Sequence, residues 1–517
     1  MRKIYPARNL TAVAMSLTLW AAFPSYGQDK PIVNPVDPLA KPATPVIVPR
    51  ILLEQMEAFQ TPETVEKAYP LPQDPKTIVA VRTARFQHLN EDVLSRYNKT
   101  GNNVKPWAGK VRKAIEAYSW AYTRTSAQIE GVYYQAFLDA LQNIDADCKE
   151  PLIEYWRLRH LENSETVFPK DLPKQKLILD NLIESNASPL TAIHAAYTYR
   201  VNVHRLGQLE NSQIAKKDID DSDRTYELAM QVFVPNAKPL DYGEIVQVSL
   251  QEIVMLMESG QSRLDAWKII DRRLLKLKAA SWIRDTLEGK VLTEAGWDAR
   301  GNGAGNTVDP EDYEIFRTRL KQAKTKLEAA WKADPSLSQP PTFMLYVAKG
   351  LAFPREEMET WFRRAMETNP DNFEACDAKK EWLQSHWHGY NSTVINFVVQ
   401  CMRTNNFYGK LPYVAEIPYL RGLPFHDRNG LKDYVSRLHT FGPFEVVAEA
   451  HLKRYPTDRW ARSRYAYHAC LWKQWEIADR QLPFIGEKSW PGWFPRKGEF
   501  ENAKKMIREG LKKPNDN

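Results

Sequence analysis

The chain has 517 residues, of which 43% are hydrophobic and 26% are charged, and its formal net charge is +7. Three of the positive charges belong to Arg2, Lys3 and Arg8, which leaves +4 for the rest of the chain. So small an excess over this length argues against nucleic acid or an anionic surface as a partner. The length allows two or more domains, or one long array, with large cores.

The first 27 residues have the pattern of a secretory signal peptide. A basic start is followed by the mostly apolar residues 10–23, which are too few to span a membrane, and Pro24 ends the stretch. Ser25 and Gly27 place small residues before a predicted cleavage at Gln28, with an uncleaved anchor as the alternative. Because no later stretch reaches about 18 apolar residues, we expect an exported chain, periplasmic or extracellular, without a transmembrane segment after cleavage.

Residues 28–105 are predicted to be a proline-rich tether followed by a poorly defined segment. Six prolines lie between positions 31 and 49, and such a density favours an extended polyproline II chain. A tether of this kind acts as an extended spacer that holds a folded domain at a distance from the start of the chain. An ordered arm packed on the domain is the alternative, and the sequence leaves open whether residues 50–105 fold.

From residue 106 onward the pattern predicts an all-α protein, beginning with an N-terminal helical region over 106–290. The apolar residues within 246–257 recur at the spacing of one helix face. No series of alternating segments with turn pairs indicates a sheet domain. Residues 394–399 are rich in β-branched side chains, yet their position between helical segments favours a helix.

Two charged clusters in the N-terminal region are interpreted as surface features. The aspartates within 218–223 lack the glycine and the glutamate that a calcium loop needs, and therefore predict a solvated loop or an acidic helix N-terminus. The basic residues within 272–278 predict a solvated helix face balanced by nearby acids.

Residues 291–517 are predicted to form helical hairpins in a right-handed array like that of tetratricopeptide repeats. Asp309-Pro310 begins a helix that Asp334-Pro335 stops, and Pro354 opens another that Asn369-Pro370 stops. The two stops are 35 residues apart, close to the tetratricopeptide period of about 34. In both stops an alanine lies five residues before the proline. A small side chain at that position lets paired helices approach closely.

A third unit follows near the C-terminus. Tyr455-Pro456 is a stop, residues 460–471 make one helix, and residues 476–482 make a short second helix that Pro483 is expected to end.

Several sequence blocks in this half resemble a group of exported bacterial tetratricopeptide-like proteins. The resemblance covers roughly residues 290–490 and rests on the order of these blocks: 297–301, the helix ending at 334–335, 359–366 with 370–372, 375–376, Lys379, 387–389, and the closing unit around 469–482. It implies a helical-repeat fold and carries over no catalytic residues. No unit has the usual glycine of the repeat's first helix.

The four cysteines are Cys148, Cys376, Cys401 and Cys470, and no two of them form a C-x-x-C pair. An exported chain can form disulfides, whereas free cysteines often serve as small buried apolar residues. Both interpretations stay open, and separation along the chain makes Cys376 and Cys401 the best candidate pair.

The standard catalytic motifs are absent from the sequence, and no cofactor or metal is predicted. The glycine-rich loop 301–306 lacks the dinucleotide spacing, and His386 and His388 lack a visible third metal ligand. Polar and aromatic side chains near these two segments form instead a candidate partner-binding set: Trp297, Asp298, Arg300, Asn302, Asn306, Trp382, Trp387 and His388. A plain connecting loop and a tryptophan that fills a helix junction are the alternatives.

The predicted function is a non-enzymatic scaffold that binds another protein or peptide through exposed aromatic and arginine side chains. The alternative is a carbohydrate-active hydrolase or lyase on an α/α toroid, since the 16 tryptophans could serve as sugar platforms. That alternative requires two carboxylates facing one tryptophan-lined cleft.

Overall fold

The computed structural model describes residues 69–122, 132–162, 172–185, 187–207, 214–301, 303, 305–384, 387–389, 391–415, 441–456, 458–486, 494 and 498–512. Within these ranges the regular structure is helical and contains no β-strand, which confirms the all-α prediction. The predicted signal peptide and residues 28–68 of the tether lie outside the described residues.

The helices are numbered here in chain order. They are α1 Pro75–Tyr97, α2 Ala108–Ala121, α3 Val132–Gln142, α4 Pro151–Arg157, α5 Leu172–Glu184, α6 Pro189–Gly207, α7 Lys216–Asn236, α8 Tyr242–Glu258, α9 Arg263–Lys276, α10 Ser281–Arg300, α11 Pro310–Ala333, α12 Gln339–Leu351, α13 Arg355–Thr368, α14 Phe373–Trp382, α15 Asn391–Arg403, α16 Phe441–Arg454, α17 Arg459–Leu471, α18 Trp475–Ile485 and α19 Glu499–Leu511. A π-helical turn, Leu158–Glu162, continues α4.

Most helices pack against their neighbours in sequence, and a second series of contacts links alternate helices. Each of α6, α8, α10 and α12 packs on the next even-numbered helix, so that the series runs to α14. Stacked helical hairpins have this pattern, because each hairpin covers the apolar face of the next. The series continues through α10, which contains the predicted domain boundary at residue 291. The right-handed tetratricopeptide-like array stays a prediction.

The predicted helix ends and apolar faces of α11 and α13 are confirmed. The Asp309 side chain accepts a hydrogen bond from the Glu311 amide at 2.9 Å and caps α11. The residues predicted to share one face are buried on each helix: Phe316, Leu320, Ala323, Leu327 and Ala330 on α11, and Met358, Trp361, Phe362, Ala365 and Met366 on α13. Helix α15 confirms that residues 394–399 are helical.

The predicted end at Pro483 is wrong, because α18 continues to Ile485. Helix α7 likewise contains Pro235 next to its last residue. A proline so close to a helix C-terminus removes one intrahelical hydrogen bond and leaves few later residues to be displaced. The helix therefore tolerates the ring.

Helix α1 shows that part of the segment left open by the sequence is folded, and it lies across the beginnings of three distant helices. Arg96 donates to the Ala187 carbonyl before α6, His88 pairs with Asp241 before α8 at 2.6 Å, and Arg82 pairs with Asp371 before α14. From Arg82 to Arg96, α1 spans about 21 Å. Helix α1 therefore ties the beginnings of α6, α8 and α14 to one another.

No helix in the described part of the chain is long and apolar enough to cross a membrane.

Candidate functional site

Two tryptophans meet where the C-terminal end of α10 approaches the turn between α14 and α15. The ring centroids of Trp297 and Trp387 are 5.5 Å apart, and the ring planes are nearly perpendicular, at 88°. This edge-to-face arrangement is a favourable geometry for aromatic pairs. Both rings are half-buried, so each keeps part of its surface open to solvent.

Two cations flank this pair of rings. The Nζ atom of Lys349, near the end of α12, lies 4.6 Å from the Trp297 centroid and 5.0 Å from that of Trp387. The guanidinium carbon of Arg300 lies 5.5 Å and 5.4 Å from the same two centroids. Cations at such distances are attracted by the ring faces. We call these four residues the Trp–cation cluster.

Neighbouring side chains hold the cluster in place. The Lys349 ammonium pairs with Glu381 at 2.5 Å, and the ring nitrogen Nε2 of His388 donates to the Lys349 carbonyl at 2.7 Å. The His388 ring also packs on the buried Trp382, with centroids 5.0 Å apart. Helices α10, α12 and α14 thus each contribute to one surface.

Arg300 differs from Lys349 in its polar contacts. Its Nη1 donates to the Gly301 carbonyl at 3.0 Å, and it makes no ion pair with a residue in the described part of the chain. A half-buried guanidinium stacked on two rings is preorganised to bind a carboxylate, because its fork of N–H donors matches two carboxylate oxygens.

The structure brings five of the eight predicted site residues together. Trp297, Arg300, Trp387 and His388 share this surface, and the buried Trp382 packs against His388. Asp298 instead pairs with Arg263 of α9 at 2.8 Å. Asn302 and the Asn306 side chain lie outside the described residues. Lys349 was missed, since no sequence signal places a lysine of α12 over rings supplied by two other segments.

Replacing Gly389 by alanine should displace the turn that carries Trp387. A Cβ atom at Gly389 would overlap the Leu383 carbonyl oxygen and lie 2.8 Å from the Thr393 hydroxyl. Overpacking of this kind costs about 2 kcal/mol. We expect urea unfolding to show that loss, together with a changed near-ultraviolet circular dichroism of the tryptophans. Gly305→Ala is the matched control, since a Cβ there meets nothing within 4 Å. Equal losses of stability in the two variants would contradict the close packing at Gly389.

Burial raises the pKa of two carboxylates in the described part of the chain. One is Glu150, whose carboxylate accepts a hydrogen bond from the Asn102 amide at 2.9 Å. The other is Glu445, whose pKa is raised by burial and also by the charge of Glu449, one turn later on α16. In the same described ranges, no group of three His, Cys, Asp or Glu residues could hold a metal ion.

Comparison with known proteins adds no relative. No protein-family model matches the sequence, and no curated protein or solved structure matches the chain. The resemblance to exported tetratricopeptide-like proteins over roughly residues 290–490 therefore stays a prediction.

Proposed function

We propose that this chain is an exported, non-enzymatic scaffold that binds an acidic segment of a partner protein at the Trp–cation cluster. The observation that carries the proposal is Arg300, a cation stacked on two half-buried tryptophans without a counter-ion among the described residues. A partner carboxylate would supply that counter-ion, and partner side chains would cover the exposed parts of the rings.

The residue types of the cluster favour a protein partner. Tryptophan and arginine are the residues that most often dominate the binding energy of protein interfaces. Aromatic rings supply large contact areas, and charged pairs in a partly desolvated setting fix the register of the partner. Glu381 already neutralises Lys349, so Arg300 carries the charge that selects an acidic segment.

Export rests on the N-terminal sequence. The basic residues, the mostly apolar stretch 10–23 and the small residues before Gln28 are those of a cleaved leader. The six prolines between positions 31 and 49 would then form an extended tether, which lets the folded part reach a partner at some distance from the N-terminus of the mature chain.

Reversing the charge of Arg300 should weaken partner binding by about 30-fold or more, as expected for loss of an interface hot spot. The test compares three baits in native envelope extract: the chain from residue 28 onward, its Arg300→Glu variant and its Arg364→Glu variant. Captured proteins are quantified by mass spectrometry at several bait concentrations, so that saturable and stoichiometric partners are separated from background.

Arg364→Glu is the matched control, because Arg364 also stacks on tryptophan, 4.3 Å from the Trp361 centroid, but belongs to α13 and lies outside the cluster. A partner that the Arg300 variant loses and the Arg364 variant keeps supports the proposal. Equal capture by all three baits, or retention of glycan fragments without a protein, would overturn it.

A further inference from the structure

Three neighbouring helices, α13, α14 and α15, bring their buried side chains together in layers. In one layer the Nζ atom of Lys379 on α14 lies 4.2 Å from the Phe362 ring on α13 and 4.5 Å from the Phe397 ring on α15. The two rings are themselves 5.6 Å apart. These contacts fix the positions of the three helices relative to one another along their axes.

The next layer contains the sulfur atoms of the region. One turn away from the first layer, α13 carries Met366, α14 carries Cys376 and α15 carries Cys401, because helical residues three or four positions apart share a face. The Cys376 thiol lies 3.7 Å from the Met366 sulfur, and Cys401 belongs to the same layer, where its thiol acts on the pKa of the Cys376 thiol. Both cysteines are free thiols and fully buried.

We propose that Cys376 and Cys401 form a disulfide when the chain folds in an oxidising compartment. The oxidant is a disulfide R–S–S–R, such as oxidised glutathione or the disulfide of a thiol oxidase. One protein thiolate attacks it, forms a mixed disulfide and releases R–S⁻; the second thiolate then displaces the other R–S⁻. Two protein thiols lose their protons, one protein S–S bond forms, and two R–SH are produced.

The timing of this reaction follows from burial. Burial and the adjacent Cys401 raise the pKa of the Cys376 thiol, and a protonated, inaccessible thiol reacts slowly. The bond therefore forms during folding, before α15 has closed over α14, and the test must supply the oxidant during folding.

The bond would close a chain segment that includes part of the Trp–cation cluster. The two cysteines are 25 residues apart, and Trp387 and His388 lie between them. Cross-linking the ends of such a segment restricts the unfolded chain. It would also fix the turn that holds Trp387 independently of any partner. This inference rests on the export of the chain in the proposed function and does not depend on the proposed partner.

The first measurement is peptide mapping of the full chain, either secreted or refolded from denaturant with oxidised and reduced glutathione. The protein is quenched in acid, alkylated without reduction and digested with trypsin. Cys376 then lies in the peptide 365–379 and Cys401 in the peptide 381–403. We expect these two peptides to be joined in the major folded form. Both peptides singly alkylated, or either one joined to Cys148 or Cys470, would overturn the proposal.

A second measurement follows thermal unfolding with and without reductant. Reduction should lower the midpoint by about 5 °C in the oxidised wild-type chain, given the length of the closed segment. Cys401→Ala should abolish this sensitivity to reductant, whereas Cys148→Ala should keep it, since Cys148 is equally buried but lies before α4. A reductant effect that persists in Cys401→Ala would contradict the pairing, and circular dichroism checks that each variant folds.

Discussion

Replacing Asp371 by alanine should lower the free energy of unfolding by about 3 kcal/mol, because it leaves a buried guanidinium without its counter-ion. Arg82 donates from Nε to Oδ2 of Asp371 at 2.9 Å and from Nη2 to Oδ1 at 2.6 Å. The two side chains are only 10% and 3% exposed. Asn406 completes the network, accepting from Arg82 at 2.7 Å and donating to Asp371 at 2.9 Å. The network fastens α1 to the segments around α14 and α15.

Asp145→Ala is the control for this variant. Lys110 and Asp145 also pair at 2.6 Å, but their side chains are 48% and 44% exposed. A pair so exposed contributes less than about 0.5 kcal/mol. Urea unfolding of both variants measures the difference, and a loss no larger for Asp371→Ala than for Asp145→Ala would show that α1 is not fastened in this way.

The same pair predicts a pH dependence. Burial opposes ionisation of Asp371, but the charge of Arg82 and hydrogen bonds from Arg82 and Asn406 outweigh it and lower its pKa. Since the folded-state pKa is then below the unfolded value of about 3.9, the stabilisation is complete above that value and is lost as the pH falls through the lower one. The stability difference between wild type and Asp371→Ala should shrink in that window.

Replacing Glu252 by alanine should also cost about 3 kcal/mol, because this buried carboxylate joins the buried Arg200 and the partly buried Arg273 between their helices. Its Oε1 accepts from Arg200 at 2.6 Å, and Arg273 donates to it at 2.5 Å. Glu252 is 1% exposed. Both guanidinium groups also stack on the Tyr226 ring, at 4.8 Å and 5.7 Å. Helices α6, α7, α8 and α9 all meet at this network.

Glu227→Ala tests whether burial is the cause. Glu227 also pairs with Arg273, at 2.5 Å, but its side chain is 28% exposed. Arg273 keeps Glu252 in that variant, so we expect a loss of about 1 kcal/mol or less. Chemical denaturation compares the two variants, and similar losses would argue against a special role of the buried carboxylate.

Helix ends and apolar faces were predictable from sequence because local chemistry decides them. Asp309, Pro310 and the two Asx-Pro stops act through backbone geometry within a few residues. The acidic cluster 218–223 falls in the first two turns of α7, as one of its two interpretations predicted.

Long-range packing was not predictable in the same way. The basic face 272–278 was expected to be solvated and balanced by nearby acids, and Arg272, Lys276 and Lys278 are indeed exposed. Arg273 is the exception: it is only 17% exposed, because α8 places Glu252 against it. Nothing in residues 75–97 shows that α1 would pair with Asp371, almost 300 positions later. Such contacts depend on where distant helices lie relative to one another, and periodicity along one helix carries no information about that placement.

The candidate site was predictable in its residue types but not in its geometry. Trp297, Arg300 and Trp387 were chosen because exposed aromatic and arginine side chains suit a protein interface. Lys349 and Glu381 complete the arrangement through the stacking of α10, α12 and α14. Asp298 has the right chemistry but points to Arg263 of α9 instead.

The most direct measurement is hydrogen–deuterium exchange of the full chain with and without a saturating captured partner. Binding at the Trp–cation cluster predicts slower exchange in the peptides that contain Gly301 and Trp387, and unchanged exchange around Trp361, with the protection lost in the Arg300→Glu variant. Protection confined to other segments, or protection that survives in that variant, would contradict binding at this surface.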